Sequence, residues 1–338
     1  MERKTIIKGL LVLSVFIVIL FTEVVYAQSG KDSNAEWLKI IDDTCIYDNK
    51  DHAAFTTMEE WQGQLYVAFR EAKSHFATET DKGTIKILKK KRSGWVTEKT
   101  YVEEGKDLRD PCFVKWKGKL LMYSIARCAE LTKKGWSDFT KLKTDANHYV
   151  NVWKVRNYRD TLYCVGNYGD YWPVLMNSTD GINWHVIDEF RIGGNASEAD
   201  LCFVGDSLYI CLRIDTPIGS NSMWGKSVYP FEHTQWSLMD VSVSSPEMIQ
   251  YSDNTILLAG RERDYHQVKG SKATYVSLFA VDIDGRIKEK YIVDKNSGDQ
   301  GYPSFYKDGK GKYFMSYYAG HGQTSIRLLS FQVTKDFE

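Results

Sequence analysis

The sequence predicts an all-β protein, and more narrowly a six-bladed β-propeller built from four-stranded antiparallel blades. One pattern recurs six times: an apolar or aromatic strand, a turn rich in Gly, Asp or Asn, and a second apolar strand. Aromatic residues make up 14% of the chain, a richness typical of strands and of sugar-binding clefts. No convincing amphipathic helix interrupts the repeats. Repetition of strand pairs without helices is the pattern that a propeller produces.

The six copies are spaced at intervals that suit one blade each. Their turn centres fall near residues 63, 118, 160, 206, 253 and 308, so that successive turns are 42 to 55 residues apart. Propeller repeats are commonly about 40 to 50 residues long. A long β-sandwich or two small β domains is the alternative. Because no Pro- or Ser-rich stretch marks a linker and only six Pro occur, residues 28–338 are predicted to form one domain.

The N-terminus has the pattern of a secretory signal peptide. Arg3 and Lys4 precede an apolar run from Gly9 to Phe21, and the small residue Ala27 comes directly before a polar segment. We therefore expect residues 1–27 to be removed and the mature protein to be secreted or periplasmic, with no stable membrane insertion. An uncleaved N-terminal anchor is the alternative, since the apolar segment is nearly long enough to cross a bilayer.

Charge and cysteine content limit the possible partners. The chain has 44 basic and 44 acidic residues, so no overall field favours nucleic acid or an anionic membrane. The six Cys show no spacing typical of zinc sites, and neither a metal nor a cofactor is expected. Cys202 and Cys211 flank one hairpin turn and are a possible disulfide in an exported protein. Buried free thiols are the favoured interpretation.

The segment Asn195–Arg213 predicts a hairpin that brings two opposite charges together. Apolar residues alternate on both sides of a Gly-Asp turn, as in two strands with one apolar face. Glu198 comes just before the first strand, and Arg213 closes the second. Since the far ends of paired strands meet, this carboxylate and this guanidinium are expected side by side at one rim of a sheet, where charges suggest binding.

The segment Ser178–Trp184 reads Ser-x-Asp-x-x-x-Trp, with Gly181 after the Asp. Asp180 can bond the backbone of its own turn, Gly181 can supply a positive φ, and Trp184 can pack beneath. This motif resembles the Asp-box of sialidases and related propellers, where it stabilises a hairpin away from the active site. A degraded copy extends from Lys91 to Trp95.

Charged and phenolic residues at the strand ends resemble those of sialidases in order and placement, over nearly the whole mature chain. That family holds the substrate carboxylate with three arginines and uses a Tyr nucleophile assisted by a Glu. The positions in this sequence that match the motifs are Arg70 in Phe-Arg, Glu198 and Arg213 on one hairpin, Arg261 at a strand end, and Tyr302 before the last hairpin. Tyr317-Tyr318 closes that hairpin, and Tyr318 is a further candidate to bind substrate. Two departures are Phe-Arg-Glu-Ala in place of the family's Phe-Arg-Ile-Pro, and Pro303 directly after Tyr302.

The general acid is the least determined residue. The resemblance implies an aspartate on the loop after the first arginine, where Asp81 lies, and His75 on the same loop can also donate a proton. Asp107 and Asp110 flank Arg109 near the next hairpin, either at the active site or as a salt-bridged turn. The acid is therefore Asp81, His75 or Asp110, with Asp110 also a candidate to bind substrate.

Three functions from different classes remain open. The resemblance implies an exo-α-sialidase-like glycoside hydrolase with retained configuration, acting as a monomer on a glycan with an acidic terminal sugar. The second is another hydrolase or lyase on acidic polysaccharide that uses His75, His148 or His321. The third is a glycan-binding propeller without catalysis. A Tyr302–Glu198 contact beside three convergent arginines would favour the first.

Overall fold

The computed structural model describes residues 36–146, 150–167, 172–216, 221–264, 273–296, 298–321 and 323–337. The predicted signal peptide and His148 lie outside these residues, as does the side chain of His321. The described residues form β-strands and turns without a helix. Accordingly, they contain no helix long and apolar enough to span a membrane.

The strands group into six blades in chain order, each starting with its innermost strand. Blade 1 contains β2 (His52–Trp61), β3 (Gln64–Ala72), β4 (Thr84–Lys91) and β5 (Gly94–Tyr101). Blade 2 contains β6 (Pro111–Trp116), β7 (Lys119–Ser124) and β8 (Arg127–Thr132), edged by the short strands β9 (Gly135–Trp136) and β10 (Thr140–Lys141). Blade 3 contains β12 (Asn151–Tyr158), β13 (Thr161–Asn167), β14 (Val174–Ser178) and β15 (Asn183–Glu189), with β11 (Lys143–Thr144) parallel to β15.

The remaining blades follow the same order. Blade 4 contains β16 (Ala196–Val204), β17 (Ser207–Ile214), β18 (Met223–Val228) and β19 (Gln235–Leu238). Blade 5 contains β20 (Val243–Gln250), β21 (Thr255–Asp264), β22 (Ala273–Asp282) and β23 (Ile287–Asp294). Blade 6 contains β24 (Gly301–Lys307), β25 (Tyr313–His321) and β26 (Gln323–Val333), and its outer strand is β1 (Leu38–Tyr47) from the other end of the chain.

The ring closes through the inner strands and through β1. Strands β2, β6, β12, β16, β20 and β24 contact one another in sequence, and β24 contacts β2 again. Strand β1 pairs antiparallel with β26, so both ends of the described chain meet in blade 6. A single parallel pair between His52 and Thr324 joins the hydrogen bonding of blades 6 and 1. The predicted six-bladed propeller is confirmed, with the outer edge of blade 2 shorter than a full fourth strand.

Every predicted turn joins the first two strands of a blade. In blades 1 and 2 the two turn residues, Gln62-Gly63 and Lys117-Gly118, all have positive φ. Type I′ turns require this backbone, because their twist matches that of the paired strands. The Gly, Asp and Asn signals of the sequence therefore mark the inner hairpin of each blade.

Apolar packing fills the space between neighbouring blades. Six buried clusters occur in the described residues, each joining strands of two adjacent blades. Because blade 4 is covered on both faces, the central residues of β17 are apolar on both of its sides: Leu208 to Leu212 are all buried. The prediction of a single apolar face for this hairpin was wrong for this reason.

The turn between β14 and β15 has the geometry that its sequence predicts. Asp180 Oδ1 accepts hydrogen bonds from the backbone N–H groups of Ile182 and Asn183, at 2.9 and 2.8 Å. Gly181 has a φ of +81°, and Trp184 is buried. Hydrogen bonds from the side chain and then the backbone of Asn183 hold the pKa of Asp180 well below its usual range. The turn is thus fixed by one ionised side chain.

All six Cys are free thiols, and five of them are buried. The strand register places Cys202 opposite Tyr209 and Cys211 opposite Asp200, so the two thiols are not cross-strand partners. Burial raises the pKa of the Cys202 thiol to about 12, which keeps it protonated. The favoured interpretation of buried free thiols is confirmed for every Cys except Cys45, which is exposed.

Candidate active site

Irregular backbone at the start of the inner strands builds the site. Register shifts interrupt the first hairpin of blades 1, 4, 5 and 6 near these starts. Phe55, Asp110, Ser245 and Tyr302 all have positive φ, between 46° and 61°. Such bulges redirect side chains, and positive φ in bulky residues is typical of functional sites.

Hydrogen bonds connect these irregular positions across four blades. Thr56 Oγ1 donates to the Tyr302 carbonyl at 2.7 Å, and the Tyr302 N–H donates to Ser245 Oγ at 3.0 Å. The Ser245 N–H in turn donates to Glu198 Oε2 at 2.5 Å. Blades 1, 6, 5 and 4 therefore hold one another in register at the centre of the ring.

Tyr302 and Glu198 are in direct contact at this centre. The Tyr302 hydroxyl donates to Glu198 Oε1 at 2.6 Å, and Arg213 Nη1 lies 2.9 Å from the same oxygen. Burial alone would raise the pKa of Glu198, but Arg213, the Tyr302 hydroxyl and Arg261 outweigh it and lower the pKa to about 2. Burial and the adjacent Glu198 carboxylate raise the pKa of Tyr302 well above its ordinary value. The pair is therefore a neutral phenol bonded to an ionised carboxylate.

A cavity of about 500 Å³ opens above this pair. Its lining is rich in arginine and contains two carboxylates. The lining residues are His75, Phe76, Arg109, Glu198, Arg213, Arg261, Arg263, Asp299 and Tyr302. Four guanidinium groups against two carboxylates suit an anionic ligand, because guanidinium groups bind carboxylates through paired hydrogen bonds.

Acidic residues fix the arginines of blades 4 and 5. Asp215 bridges Arg213 Nη2 at 2.6 Å and Arg263 Nη1 at 2.8 Å. Arg261 Nη2 lies 3.0 Å from Asp299 Oδ1 and donates to the Tyr318 hydroxyl at 2.5 Å. These contacts leave little freedom to the side chains of Arg213, Arg261 and Arg263. Their positive charges are therefore held in place before a ligand binds.

Arg70 is close to the site but does not line the cavity. Its side chain is fully buried, with Nε bonded to Asp107 at 2.9 Å and Nη1 to the Ser74 carbonyl at 2.9 Å. Gly83 packs against this pair so tightly that an added Cβ would lie 2.2 Å from Arg70 Nε. The structure therefore brings Arg213 and Arg261 together at the cavity but keeps Arg70 below its surface.

Arg109 reaches the cavity instead. Its guanidinium lies over the Phe55 ring, 4.6 Å from the centroid, and its Nε lies 3.2 Å from Asp110 Oδ2. The Phe55 ring contacts the ring of Tyr302 at a centroid distance of 4.6 Å. A cation–π contact with Phe55 thus holds Arg109 at the lining of the cavity.

Asp110 is a buried carboxyl beside this cation. Burial raises its pKa to about 6; the Arg109 guanidinium opposes the shift and the Glu198 carboxylate adds to it. Its Oδ1 atom is buried without a hydrogen-bond partner in the described structure. Asp110 is therefore protonated in mildly acidic solution and can then donate a hydrogen bond.

His75 and Asp299 form a hydrogen-bonded pair at the cavity wall. His75 Nδ1 lies 2.6 Å from Asp299 Oδ2, and His52 Nε2 lies 2.7 Å from the same oxygen. Asp299 Oδ1 accepts from the Tyr318 hydroxyl at 2.7 Å. Burial would raise the pKa of Asp299, but His52, His75 and Arg261 hold it well below its usual range. His52, His75 and Asp299 are also the residues here that can hold a metal ion.

Asp81 and Tyr318, like Asp110, do not line the cavity. Asp81 Oδ2 accepts from the Lys73 N–H at 2.9 Å, and the Asp81 N–H donates to Thr78 Oγ1, so its carboxylate closes its own loop. Tyr318 is fully buried and supports Asp299 and Arg261 from below.

Sequence reasoning missed Asp299, Arg109, Arg263 and Asp215. Spacing carried part of the signal: Arg263 lies two residues after Arg261, so the two share a face of β21, and Asp215 follows Arg213 by two residues, directly after β17 ends. Asp299 lies three residues before Tyr302. Apart from its two acidic neighbours, nothing in the sequence around Arg109 indicated a place in the site. Its position depends on the ring of Phe55, which belongs to another blade.

The fold is a β-propeller, similar to those of solved sialidases and of an α-L-arabinofuranosidase. No protein-family model and no curated protein sequence matches the chain. Solved structures do match. The NanB sialidase from Streptococcus pneumoniae aligns with a TM-score of 0.64 and 10% identity, over 86% of this chain and 70% of that one.

Two further structures cover nearly the whole of both chains. A protein of unknown function from Dyadobacter fermentans aligns with a TM-score of 0.73 and 17% identity, over 88% of this chain and 99% of that one. The α-L-arabinofuranosidase Arb93A from Fusarium graminearum aligns with a TM-score of 0.60 and 14% identity, over 86% and 98%. Likeness at these identities shows the fold, which hosts more than one substrate class.

Proposed function

We propose that this protein is a retaining exo-glycosidase that removes an acidic terminal sugar, with Tyr302 as nucleophile and Glu198 as its base. The observation that carries the proposal is the 2.6 Å hydrogen bond from the Tyr302 hydroxyl to Glu198, on the floor of an arginine-lined cavity. We also propose export by the N-terminal signal and action as a monomer.

A neutral nucleophile suits an acidic sugar. A carboxylate nucleophile would repel a carboxylate carried on or beside the anomeric carbon, whereas a phenol does not. The phenol alone is a poor nucleophile near neutral pH, so a base must take its proton during attack. Glu198 is ionised and already accepts that proton in a hydrogen bond, which supports this role.

Three of the four arginines that line the cavity are proposed to bind the substrate carboxylate. Arg213 and Arg261 line the cavity beside Glu198, and Arg109 lines it from the Phe55 side. We assign the carboxylate to these three, with Arg109 in the place that the sialidase resemblance gave to Arg70. Arg70 instead supports the floor through Asp107.

His75 is the proposed general acid. It lines the cavity, and its Nδ1 is held by Asp299, so Nε2 is left to exchange a proton with substrate. In the first step the Tyr302 oxygen bonds to the anomeric carbon, Glu198 takes the phenolic proton, and His75 protonates the departing oxygen. In the second step His75 takes a proton from water, which displaces Tyr302, and Glu198 returns the proton to the phenolate. Two displacements give retained configuration.

Release of a fluorophore from a panel of glycosides tests the proposal. The panel contains a sialoside, a uronide and an arabinofuranoside, which separates an acidic sugar from the neutral furanoside named for one structural neighbour. Hydrolysis of an acidic glycoside that is lost in Tyr302→Phe supports the proposal. Hydrolysis of the arabinofuranoside alone, or of none of the three, would reject the substrate class.

Covalent trapping tests the nucleophile. A sialidase from Trypanosoma rangeli with the same fold has been solved with 2,3-difluorosialic acid as a covalent intermediate, at 12% identity and a TM-score of 0.62, over 86% of this chain and 58% of that chain. If the sugar is a sialic acid, that reagent should add one glycosyl group to the peptide containing Tyr302. Labelling of another peptide would reject Tyr302 as the nucleophile.

A further inference from the structure

Three potential metal ligands converge in the wall of the cavity from three separate parts of the chain. His52 begins the inner strand β2, His75 lies in the loop between β3 and β4, and Asp299 precedes β24. His52 Nε2, His75 Nδ1 and an Asp299 oxygen all lie within 4.8 Å of one another. They are the one such group of three among the residues whose side chains the structure describes.

We propose that His52, His75 and Asp299 bind a divalent transition-metal ion of the Zn²⁺ type. Two imidazoles and one carboxylate are ligands that Zn²⁺ accepts, and three protein ligands with a further position open is the arrangement of catalytic zinc sites. Ca²⁺ and Mg²⁺ prefer sets of oxygen atoms, so neither fits this group. The open position faces the cavity, because both His75 and Asp299 line it.

The hydrogen bonds of the cluster show what a metal would replace. Both histidines approach Oδ2 of Asp299 at hydrogen-bond distance, 2.7 and 2.6 Å, so each shares a proton with the same oxygen. A metal ion takes the place of these protons and binds the same three atoms, so metal binding competes with the proposed role of His75 as general acid. Ligand bonds of about 2.0 to 2.2 Å in a tetrahedral site require each histidine nitrogen to move away from Asp299 Oδ2 by roughly 0.7 Å. His75 can supply that movement, since it is partly exposed on a loop, whereas His52 is buried.

The carboxylate is oriented by contacts outside the cluster. Asp299 Oδ1 accepts hydrogen bonds from the Tyr318 hydroxyl at 2.7 Å and from Arg261 at 3.0 Å, leaving Oδ2 directed at the two imidazoles. Such outer contacts fix metal-binding carboxylates in known sites. The charge of Arg261 opposes a cation here, so we expect an anion in the cavity to strengthen metal binding.

Metal binding without substrate tests this inference independently of the proposed function. Tag-free protein is freed of metal with a chelator and titrated with Zn²⁺ by calorimetry, and with Co²⁺ by visible absorption, whose intensity reports tetrahedral coordination. We expect one saturable Zn²⁺ per chain, a matching Co²⁺ spectrum, and no binding of Mg²⁺ or Ca²⁺. Failure to bind Zn²⁺ would overturn the inference and would leave the glycosidase proposal standing.

Matched variants locate the site. His75→Gln and Asp299→Asn should each weaken Zn²⁺ binding by more than the roughly 10- to 100-fold typical of losing an outer contact, whereas Tyr318→Phe should stay within that range. The control is His185→Gln, which removes an exposed histidine paired with Asp145 on the outside of blade 3. Circular dichroism identifies the variants that fold. Unchanged Zn²⁺ affinity in either folded ligand variant, or an equal loss in His185→Gln, would overturn the assignment.

Discussion

The Tyr302 hydroxyl lies 2.6 Å from Glu198 Oε1, although 104 residues separate the two in sequence. Tyr302 comes from the inner strand of blade 6 and Glu198 from that of blade 4, while the Ser245 N–H of blade 5 binds the other carboxylate oxygen. Three consecutive blades therefore fix one hydrogen bond. Its geometry depends on the packing of these three blades and not on any local segment.

Removal of either member of this pair should abolish most turnover. Tyr302→Phe keeps the ring and its packing on Phe55, and Glu198→Gln keeps the shape of the side chain. We expect each to lower kcat by at least ~10²-fold, because each removes one half of the proton transfer. The double variant should be little worse than either single one, since the two act as a unit. Steady-state kinetics on the hydrolysed glycoside measures this. Tyr306→Phe on the same strand is the control, and full activity of Tyr302→Phe would refute the mechanism.

Arg213→Lys should impair the proposed hydrolysis although it keeps the positive charge. The guanidinium contacts Glu198 through Nη1 and Asp215 through Nη2, a bridge that one ammonium group cannot reproduce together with a substrate carboxylate. We expect kcat/KM to fall by a factor equivalent to at least ~1.5 kcal/mol. Arg159→Lys, at an exposed pair with Asp206, is the control and should change nothing. Unchanged kcat/KM in a folded Arg213→Lys would remove Arg213 from the substrate site.

Substitution of Arg109 should change mainly KM, whereas substitution of Arg70 should change mainly the free energy of unfolding. Arg109→Gln removes a cation from the cavity, so we expect a higher KM for an acidic glycoside and a small change in unfolding free energy. Arg70→Gln leaves Asp107 without its buried partner, and a cost of about 3 to 5 kcal/mol in unfolding free energy is expected. Denaturant unfolding and kinetics on both variants make the comparison. A raised KM in a fully stable Arg70→Gln would return Arg70 to the substrate site.

Asp110 should make stability depend on pH. Its folded-state pKa of about 6 is above the ordinary value of 3.8, so its contribution to stability is fully present below that ordinary pKa and is lost as pH rises through 6. Relative to wild type, Asp110→Asn should therefore gain stability between pH 4 and pH 8, by a quantity on the order of 3 kcal/mol for a shift of this size. Urea unfolding at the two pH values measures the difference. A constant difference would mean that Asp110 does not titrate in this range.

The sequence predicts the fold better than it predicts the site, for a physical reason. Turns such as Gln62-Gly63 need particular residues at particular positions, so blade spacing can be read locally. Whether an arginine at a strand end lines the cavity depends on the neighbouring blade. Arg70 and Arg261 both close second strands, yet Gly83 leaves room for Arg70 to bury against Asp107, while Asp299 holds Arg261 at the cavity. No spacing rule separates these two outcomes.

The pairing of β1 with β26 determines when the sixth blade, and with it the propeller, can finish folding. Leu38 in β1 lies opposite Val333 in β26. The first described strand therefore stays unpaired along this edge until the last described strand has been synthesised. Contacts of such sequence separation form late, because the chain loses much entropy in closing so long a loop. If the chain is exported, as proposed above, nearly all of it must cross the membrane before β1 can pair with β26. Since Tyr302 belongs to the same blade, a chain that lacks β26 should lose the proposed activity as well as stability.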